Sequence, residues 1–355
     1  MMETTTVTNA DLQQRFDELM AAKPKTRIRN AATELGVSEV ELLVLRIGDG
    51  VTRLLPDFRG LMAEIPKLGR VMALSRNDDA VHERNGEYLN PSLTEQHVGL
   101  FVGEDIDLRI FWGPWNSAFA VVEDGKNGPR RSLQFFAKDG EAVHKVYLLP
   151  ESNVTAFEGL IEQYRNDDQS KVQAVKPWPE EPTEKPDAEI DAEGFRAEWK
   201  AMKDTHDFYG MTRKYHVSRT QALRLAPEGF STKLSNNAMR EIVTRAAKQQ
   251  FPIMVFIGNK GMIQIHTGTV TNLVDVPEWF NVIDPDFNMH VREGAITESW
   301  VVRKPSVDGM VTAIECFDKN GVLVVQFFGK RKPGIPELPE WAGLVKEVEN
   351  ELRIA

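Results

Sequence analysis

Imidazole and thiolate are the side chains a protein most readily uses to hold a metal, and this chain of 355 residues has few of them. Seven histidines stand at positions 82, 97, 144, 206, 216, 266 and 290, and the only cysteine is Cys316. No two histidines have the H-E-x-x-H spacing of a zinc site. One thiol cannot build a four-cysteine zinc centre, a thiolate iron-sulfur cluster, an internal disulfide or a C-x-x-C-H haem attachment. There is no nucleophile elbow, Walker loop or Rossmann glycine pattern, which disfavours serine-hydrolase and nucleotide chemistry. The chemistry that remains must come from single residues placed by the fold.

His206 is the first such residue. Phe195, Trp199 and Met202 recur at i, i+4 and i+7, and His206 falls on the same stripe at i+11. That spacing predicts a helix with His206 pointing inward beside aromatic rings, as a ligand or as a satisfied core histidine. Arg109 is the second. In Ile106-Asp-Leu-Arg-Ile-Phe111, Leu108 and Ile110 take one face of a strand while Asp107, Arg109 and Phe111 take the other. Its plain reading is a pairing with Asp107 on an exposed face, but the apolar run Phe111-Trp-Gly-Pro-Trp115 beside it suggests a covered edge or pocket wall. Third, Arg303-Lys304 and Lys330-Arg331-Lys332 cap two adjacent strands of a protein whose net charge is −10, so they read as an anion-binding patch. An inward imidazole for iron, an apolar wall for a macrocycle and a cationic rim for two propionates are together what non-covalent haem requires.

These residues need a frame. Val175 to Gly194 carries four prolines and seven acids with nothing periodic, and reads as a linker between residues 1–174 and 195–355. The two halves repeat each other. The helical stripe Phe58, Leu61, Met62, Ile65 matches Met239, Ile242, Val243, Ala246 at an offset of 181. Phe135-Phe136-Ala-Lys-Asp-Gly140 matches Cys316-Phe317-Asp-Lys-Asn-Gly321 at the same offset, each ending in a tight-turn dipeptide. Leu35-Gly-Val-Ser38 matches Tyr215-His-Val-Ser218 at 180, each at a helix-to-helix corner. Within the first half, helices precede strands at Gly69 to Leu74, Leu100 to Phe101, Asp107 to Trp112, Ser117 to Val122 and Ser132 to Phe136. The expected fold is α+β: a tandem duplication of two similar domains, each with helices packed on a large antiparallel β-sheet.

Arg27 to Val44 and its second copy, Arg213 to Leu225, read as helical hairpins packed on the sheet or as helix-turn-helix units. Glu39 and Glu41 in the first copy would repel phosphates, whereas the second copy is more basic, so a haem-responsive DNA-binding regulator is the alternative function. The first nine residues lack the basic and apolar regions of a signal peptide, and no apolar run approaches a membrane span. A reducing cytoplasm is the expected location, without membrane insertion.

The sequence resembles the bacterial cytoplasmic haem-trafficking and hemin-degrading proteins of the HemS, ChuS and PhuS group. The resemblance covers essentially the whole chain. It rests on the duplicated halves and on five motifs. Asp204-Thr-His-Asp-Phe-Tyr-Gly210 follows the Pro-rich linker; the others are Ala222-Leu-Arg-Leu-Ala-Pro227, Asp107-Leu-Arg-Ile-Phe111, Val81-His-Glu83 and Gln326-Phe-Phe-Gly-Lys-Arg331. It implies haem b held non-covalently between the halves, with His206 as axial ligand of the iron and Arg109 as the distal residue, catalytic if the ring is cleaved. Lys304 and Arg331 would lie near the propionates, and Gln326 and Phe328 would line the pocket. Some relatives carry extra histidines around the ligand, where this chain has Asp207, Phe208 and Tyr209. Two activities fit. The protein accepts haem and passes it on, with a heme oxygenase or a haem ABC transporter as partner, or it cleaves the ring with an external electron donor, since no flavin or nicotinamide fingerprint is present. The first-half position matching His206 is Lys25 or Thr26, so one haem per chain is expected, with His82 as the candidate for a second, weaker site.

Overall fold

Alternating apolar residues make strands and apolar stripes at i, i+3, i+4 make helices, and along this chain the two patterns run in the same order twice. The computed structural model describes residues 9–126, 128–179, 183–331 and 334–354. The first pass opens with α1 (Asn9–Ala22), α2 (Ile28–Leu35), α3 (Glu39–Val44), β1 (Val51–Leu54) and α4 (Phe58–Glu64). It continues through β2 (Val71–Arg76), β3 (Ala80–Gly86), β4 (Pro91–Ser92), β5 (Val98–Val102) and β6 (Asp107–Phe111), and closes with β7 (Trp115–Gly125), β8 (Gly128–Ala137), β9 (Ala142–Leu148) and α5 (Val154–Tyr164). The second pass runs α6 (Ala192–Ala201), α7 (Asp207–Tyr215), α8 (Arg219–Arg224), β10 (Ser231–Leu234), α9 (Ala238–Gln249), β11 (Ile253–Gly258) and β12 (Met262–Gly268). Then come β13 (Leu273–Val276), β14 (Trp279–Ile283), β15 (Phe287–Arg292), β16 (Glu298–Ser306), β17 (Gly309–Phe317), β18 (Leu323–Gly329) and α10 (Pro339–Leu352).

The order is a duplication. Strands β8 and β17 begin at Gly128 and Gly309, and β9 and β18 at Ala142 and Leu323, so both pairs keep the offset that the stripes and turns show in the sequence. The turns between them place Gly140 at φ +84° and Gly321 at φ +73°, a left-handed conformation that explains the Asp-Gly and Asn-Gly dipeptides. The corners agree as well. Gly36 ends α2 in the left-handed region and donates from its amide to Thr33 O, while Val37 donates to Ala32 O; His216 and Val217 make the equivalent bonds to Arg213 O and Thr212 O.

The chain divides into two units, and each takes a short segment from the other half of the sequence. Unit 1 holds the described residues up to Arg76, Asn85–Pro179 and Asn259–Ile263; unit 2 holds Asn77–Arg84, residues 183 to Gly258 and the described residues from Gln264 onward. In unit 1 the strands run antiparallel in the order β1-β7-β8-β9-β2, with β4-β5-β6 as a second run. Unit 2 has β10-β16-β17-β18-β11, and there β3 from the first half pairs with β15 in the run β3-β15-β14-β13. The segment unit 1 receives is tied in by polar bonds. Asn259 Nδ2 donates to Arg76 O at 3.0 Å and to Val143 O at 2.8 Å, and Trp115 Nε1 donates to Gly261 O at 3.0 Å.

Each unit has its own core. Leu61 and Met62 of α4, and Ile65 just after it, are buried with Phe101, Phe135 and Phe157 in unit 1; the α9 stripe buries Met239, Ile242, Val243 and Ala246 with Val255, Phe327 and Trp341 in unit 2. A fully buried Ile, Val or Met contributes ~1.5–3 kcal/mol, enough to fix which face each helix turns inward. The hairpins α2–α3 and α7–α8 pack as the plainer reading expects. Glu39, Val40, Leu42, Leu43 and Val44 of α3 are buried, as are Thr220 to Leu223 of α8, so neither second helix offers a free recognition face. The described part of the acidic stretch is anchored to its surroundings. Trp178 lies under the Lys260 ammonium, Glu184 pairs with Arg224 at 2.7 Å, and Asp191 caps α6 by accepting from Gly194 N at 2.9 Å.

Candidate functional site

The corner between α6 and α7 carries His206, and its orientation differs from the sequence expectation. The stripe Phe195, Trp199, Met202 does face a core, but α6 ends at Ala201 and the 3.6-residue phase ends with it. His206 opens α7 instead, with a side chain 89% exposed. Its surroundings define what it can do. Asp204 accepts from His206 N at 2.8 Å, and its Oδ1 lies 2.6 Å from His206 Nδ1. The bond from His206 N, then the imidazole and, farther off, the Arg331 guanidinium keep the Asp204 carboxyl below its usual range. An ionised carboxylate only accepts, so in the neutral imidazole Nδ1 carries the proton and Nε2 presents its lone pair. An imidazole oriented by an outer carboxylate is the arrangement found at metal-ligating histidines, and the exposed Nε2 fits an axial iron ligand.

Two residues further along α7, Phe208 is buried and meets Trp199 edge-on at 4.7 Å between ring centres. Lys304 Nζ sits 4.4 Å from the Phe208 ring centre and Arg219 Cζ 5.6 Å from it. Between the two cations lies Glu315, with no solvent exposure. Arg219 donates from Nε at 2.8 Å and from Nη2 at 2.7 Å to its two oxygens, and Lys304 Nζ donates at 2.9 Å. Burial opposes the charge on Glu315, but Arg219 and Lys304 outweigh it and hold the carboxyl at about 2. Burial lowers the Lys304 ammonium to about 8 against the pull of Glu315. Two positive charges and one negative leave this cradle, buried at Lys304 and Glu315 and part-exposed at Arg219, with one net positive charge. Arg219 Nη2 also lies 3.4 Å from Gln326 Oε1.

The sequence-named cations therefore separate. Lys304 is a buried member of the cradle and not a rim residue, while its neighbour Arg303 points to the opposite face of β16 and pairs with Glu349 at 2.7 Å. Adjacent strand residues face opposite ways, so Arg303-Lys304 cannot act as one patch. Arg331 is part-buried, lies 3.6 Å from Asp308 and acts on Asp204 through its charge. Lys330 is exposed, and Lys332 lies outside the described residues. Gln326 and Phe328 share one half-buried face of β18, with Phe328 4.8 Å from Phe256 between ring centres. Arg219 and Glu315 were missed by sequence reading. The signal for Glu315 was an acid inside the apolar strand Val311-Thr-Ala-Ile-Glu-Cys-Phe317.

In unit 1, Arg109 pairs with Asp107 on β6, opposite Leu100, while Leu108 and Ile110 face the core. Burial raises the Asp107 carboxyl despite that partner. The neighbouring Trp115 is itself a core residue, packed on Phe58 and Phe135. Thr26, a first-half counterpart of His206, lines a cleft of about 510 Å³ with Lys23, Lys25 and Arg27, and no imidazole lines that corner. His82, on β3 in unit 2, is fully buried edge-on to Phe287, and His266 stacks on the same ring at 3.7 Å. Burial lowers the His266 imidazole to about 3, which keeps it neutral. Among the described residues no group of three or more His, Cys, Asp or Glu is placed to hold a metal ion, and no helix is long and apolar enough to cross a membrane.

Comparison with known proteins identifies the family. The family model described as the haemin-degrading HemS.ChuX domain matches twice, at residues 36–164 and 216–348. The hemin transport protein HmuS of Yersinia pestis is 36% identical over 347 residues, covering 97% of this chain and 99% of that one. The crystal structure of holo-PhuS, a heme-binding protein from Pseudomonas aeruginosa, superposes with a TM-score of 0.93 at 45% identity, covering 96% of this chain and 98% of that one. ChuS, an E. coli heme oxygenase, gives a TM-score of 0.86 at 31% identity, covering 94% of this chain and 99% of that one.

Proposed function

Since the chain belongs to the haemin-degrading HemS.ChuX domain family, we propose that it is a haem-binding protein of haem uptake, holding haem b through His206 in the cytoplasm. The observation that carries this reading is the exposed imidazole whose Nδ1 is fixed by Asp204, leaving Nε2 to take the iron. Phe208 on the same helix leads to the Arg219–Glu315–Lys304 cradle, whose net positive charge suits a propionate. Arg331, Gln326 and Phe328 complete the residues assigned to the site on unit 2. Arg109 serves the distal face of the bound haem, a role that rests on the family resemblance. Bound haem supplies the iron and the ring that are carried or cleaved; the protein's own residues orient the ligand and neutralise its carboxylates. Cys316 takes no part, because burial raises its thiol to about 12.

In this reading haem arrives from a haem ABC transporter and leaves to a heme oxygenase, or is opened on the protein with electrons from an external donor. One experiment tests binding and separates the outcomes. Hemin is added to apo-protein and the Soret band is followed with and without a reductant, catalase being present. Wild type should take up one equivalent. His206→Ala should lose the wild-type band position and bind more weakly while melting at the same temperature, because an exposed side chain contributes little to folding. If wild type bleaches and Arg109→Ala does not, the degrading activity stands; if neither bleaches, delivery stands. Unchanged binding and spectrum in His206→Ala would refute the assignment.

A further inference from the structure

The cradle contains one group that the ligand itself does not require. Two cations on one anionic ligand need no carboxylate between them, yet Glu315 is fully buried and bonded to both. Physically, Arg219 and Lys304 repel each other in a poorly solvated site, and without a counter-charge the lysine would give up its proton. We infer that Glu315 is a positioning residue for the anionic end of the ligand: it holds Lys304 and Arg219 together as one preformed cradle with a single net positive charge, matched to one carboxylate. The inference rests on the haem-binding reading and deepens it.

The repeat supplies an internal comparison. In unit 1 the positions of Arg219, Glu315, Lys304 and Gln326 are taken by Glu39, Gln134, Glu123 and Lys145, at the offsets that relate their elements. There Glu39 and Lys145 pair with each other, both buried, and the Gln134 amide donates to Ser132 Oγ at 3.0 Å. Among these four positions no cation is left over for a ligand. A carboxylate occupies the strand position only in the unit where two cations must be kept side by side. The amide in unit 1 also shows that the position accepts the isosteric neutral residue, which makes Glu315→Gln the natural test.

The groups facing Lys304 are Glu315 from β17, Arg219 from α8 and the Phe208 ring from α7, with Gln326 of β18 reaching Arg219. The test is hemin dissociation from the full chain into excess apomyoglobin, followed as a function of pH around the Lys304 titration near 8. Wild type, Glu315→Gln and Lys304→Arg are compared, with hemin dimethyl ester as the probe lacking both carboxylates. Wild-type dissociation should quicken above that pH as the ammonium is lost, and Lys304→Arg should stay flat. Glu315→Gln should release hemin about tenfold faster at neutral pH, as expected for loss of a charge-assisted brace, with its rise displaced to lower pH. The ester should leave all three proteins at one rate. A Glu315→Gln protein matching wild type in rate and profile overturns the inference and leaves haem binding standing. Should that variant fail to fold, wild type and Lys304→Arg decide: identical pH profiles overturn it. A wild type that takes up no hemin refutes both readings.

Discussion

Replacing Asp204 by Asn keeps the shape of the α6–α7 corner and removes its charge. The amide oxygen can still accept from His206 N, so the backbone turn survives and the melting temperature should change little. What is lost is the charge behind the 2.6 Å contact with Nδ1 that fixes the imidazole tautomer and its basicity. Outer carboxylates on metal-ligating histidines are typically worth ~10- to 100-fold in affinity, or ~1.4 to 2.7 kcal/mol. Asp204 is 62% exposed, so water screens part of that, and the expected loss of hemin affinity is about tenfold. The assay is a Soret titration of wild type, Asp204→Asn, His206→Ala and the double variant. If Asp204 acts only through the histidine, the double variant should bind no more weakly than His206→Ala alone. Additive losses would place the effect of Asp204 elsewhere, and an Asp204→Asn protein with wild-type affinity would refute the orienting role outright.

Lys304→Ala should lower stability by ~2 kcal/mol in urea denaturation, because it takes one of two partners from a buried carboxylate. A loss below ~0.5 kcal/mol, normal for a surface residue, would contradict its placement in the cradle. Glu39→Gln should cost ~3 kcal/mol by leaving the Lys145 ammonium buried without its carboxylate, with hemin dissociation unchanged. The pH dependence of that cost follows from the pair. Despite burial, Lys145 holds the Glu39 carboxyl below its ordinary 4.5, so that contribution is present above 4.5 and lost as pH falls below it. Lys145 is raised above its ordinary 10.5 because Glu39 outweighs its burial, so its contribution is present below 10.5 and lost as pH rises past it. The gap between wild type and variant should be widest between those limits, and a constant gap would refute the ion-pair account.

What the sequence made legible was local and periodic. The α4 and α9 stripes, the Asp139-Gly140 and Asn320-Gly321 turns and the two helical corners each follow from a few neighbouring residues, which is why the duplication could be read from them. His206 was misjudged because a helical phase was extended past Ala201, where neither proline nor glycine marks the end; the carboxylates of Asp204 and Asp207 set that corner through backbone bonds that periodicity does not register. The cradle was half visible. Lys304 is legible as half of a basic pair and Gln326 through its motif, whereas Arg219 and Glu315 become partners only when α8 is laid on β17. Least legible was the pairing of β3 with β15, since their register joins strands from opposite halves of the sequence and no local pattern encodes it.

The placing of Asn259–Ile263 in unit 1 has a consequence for the protein's birth on the ribosome. Unit 1 otherwise ends at Pro179, yet the bonds from Asn259 to Arg76 and Val143, and from Trp115 to Gly261, cannot form until synthesis has passed through the whole stretch from Glu180 to Gly261. At ~5–20 residues per second that is a wait of about 4–16 s, during which the nascent first unit lacks one of its internal props. Translation speed between Glu180 and Gly261 therefore sets how long the growing first unit waits for these bonds.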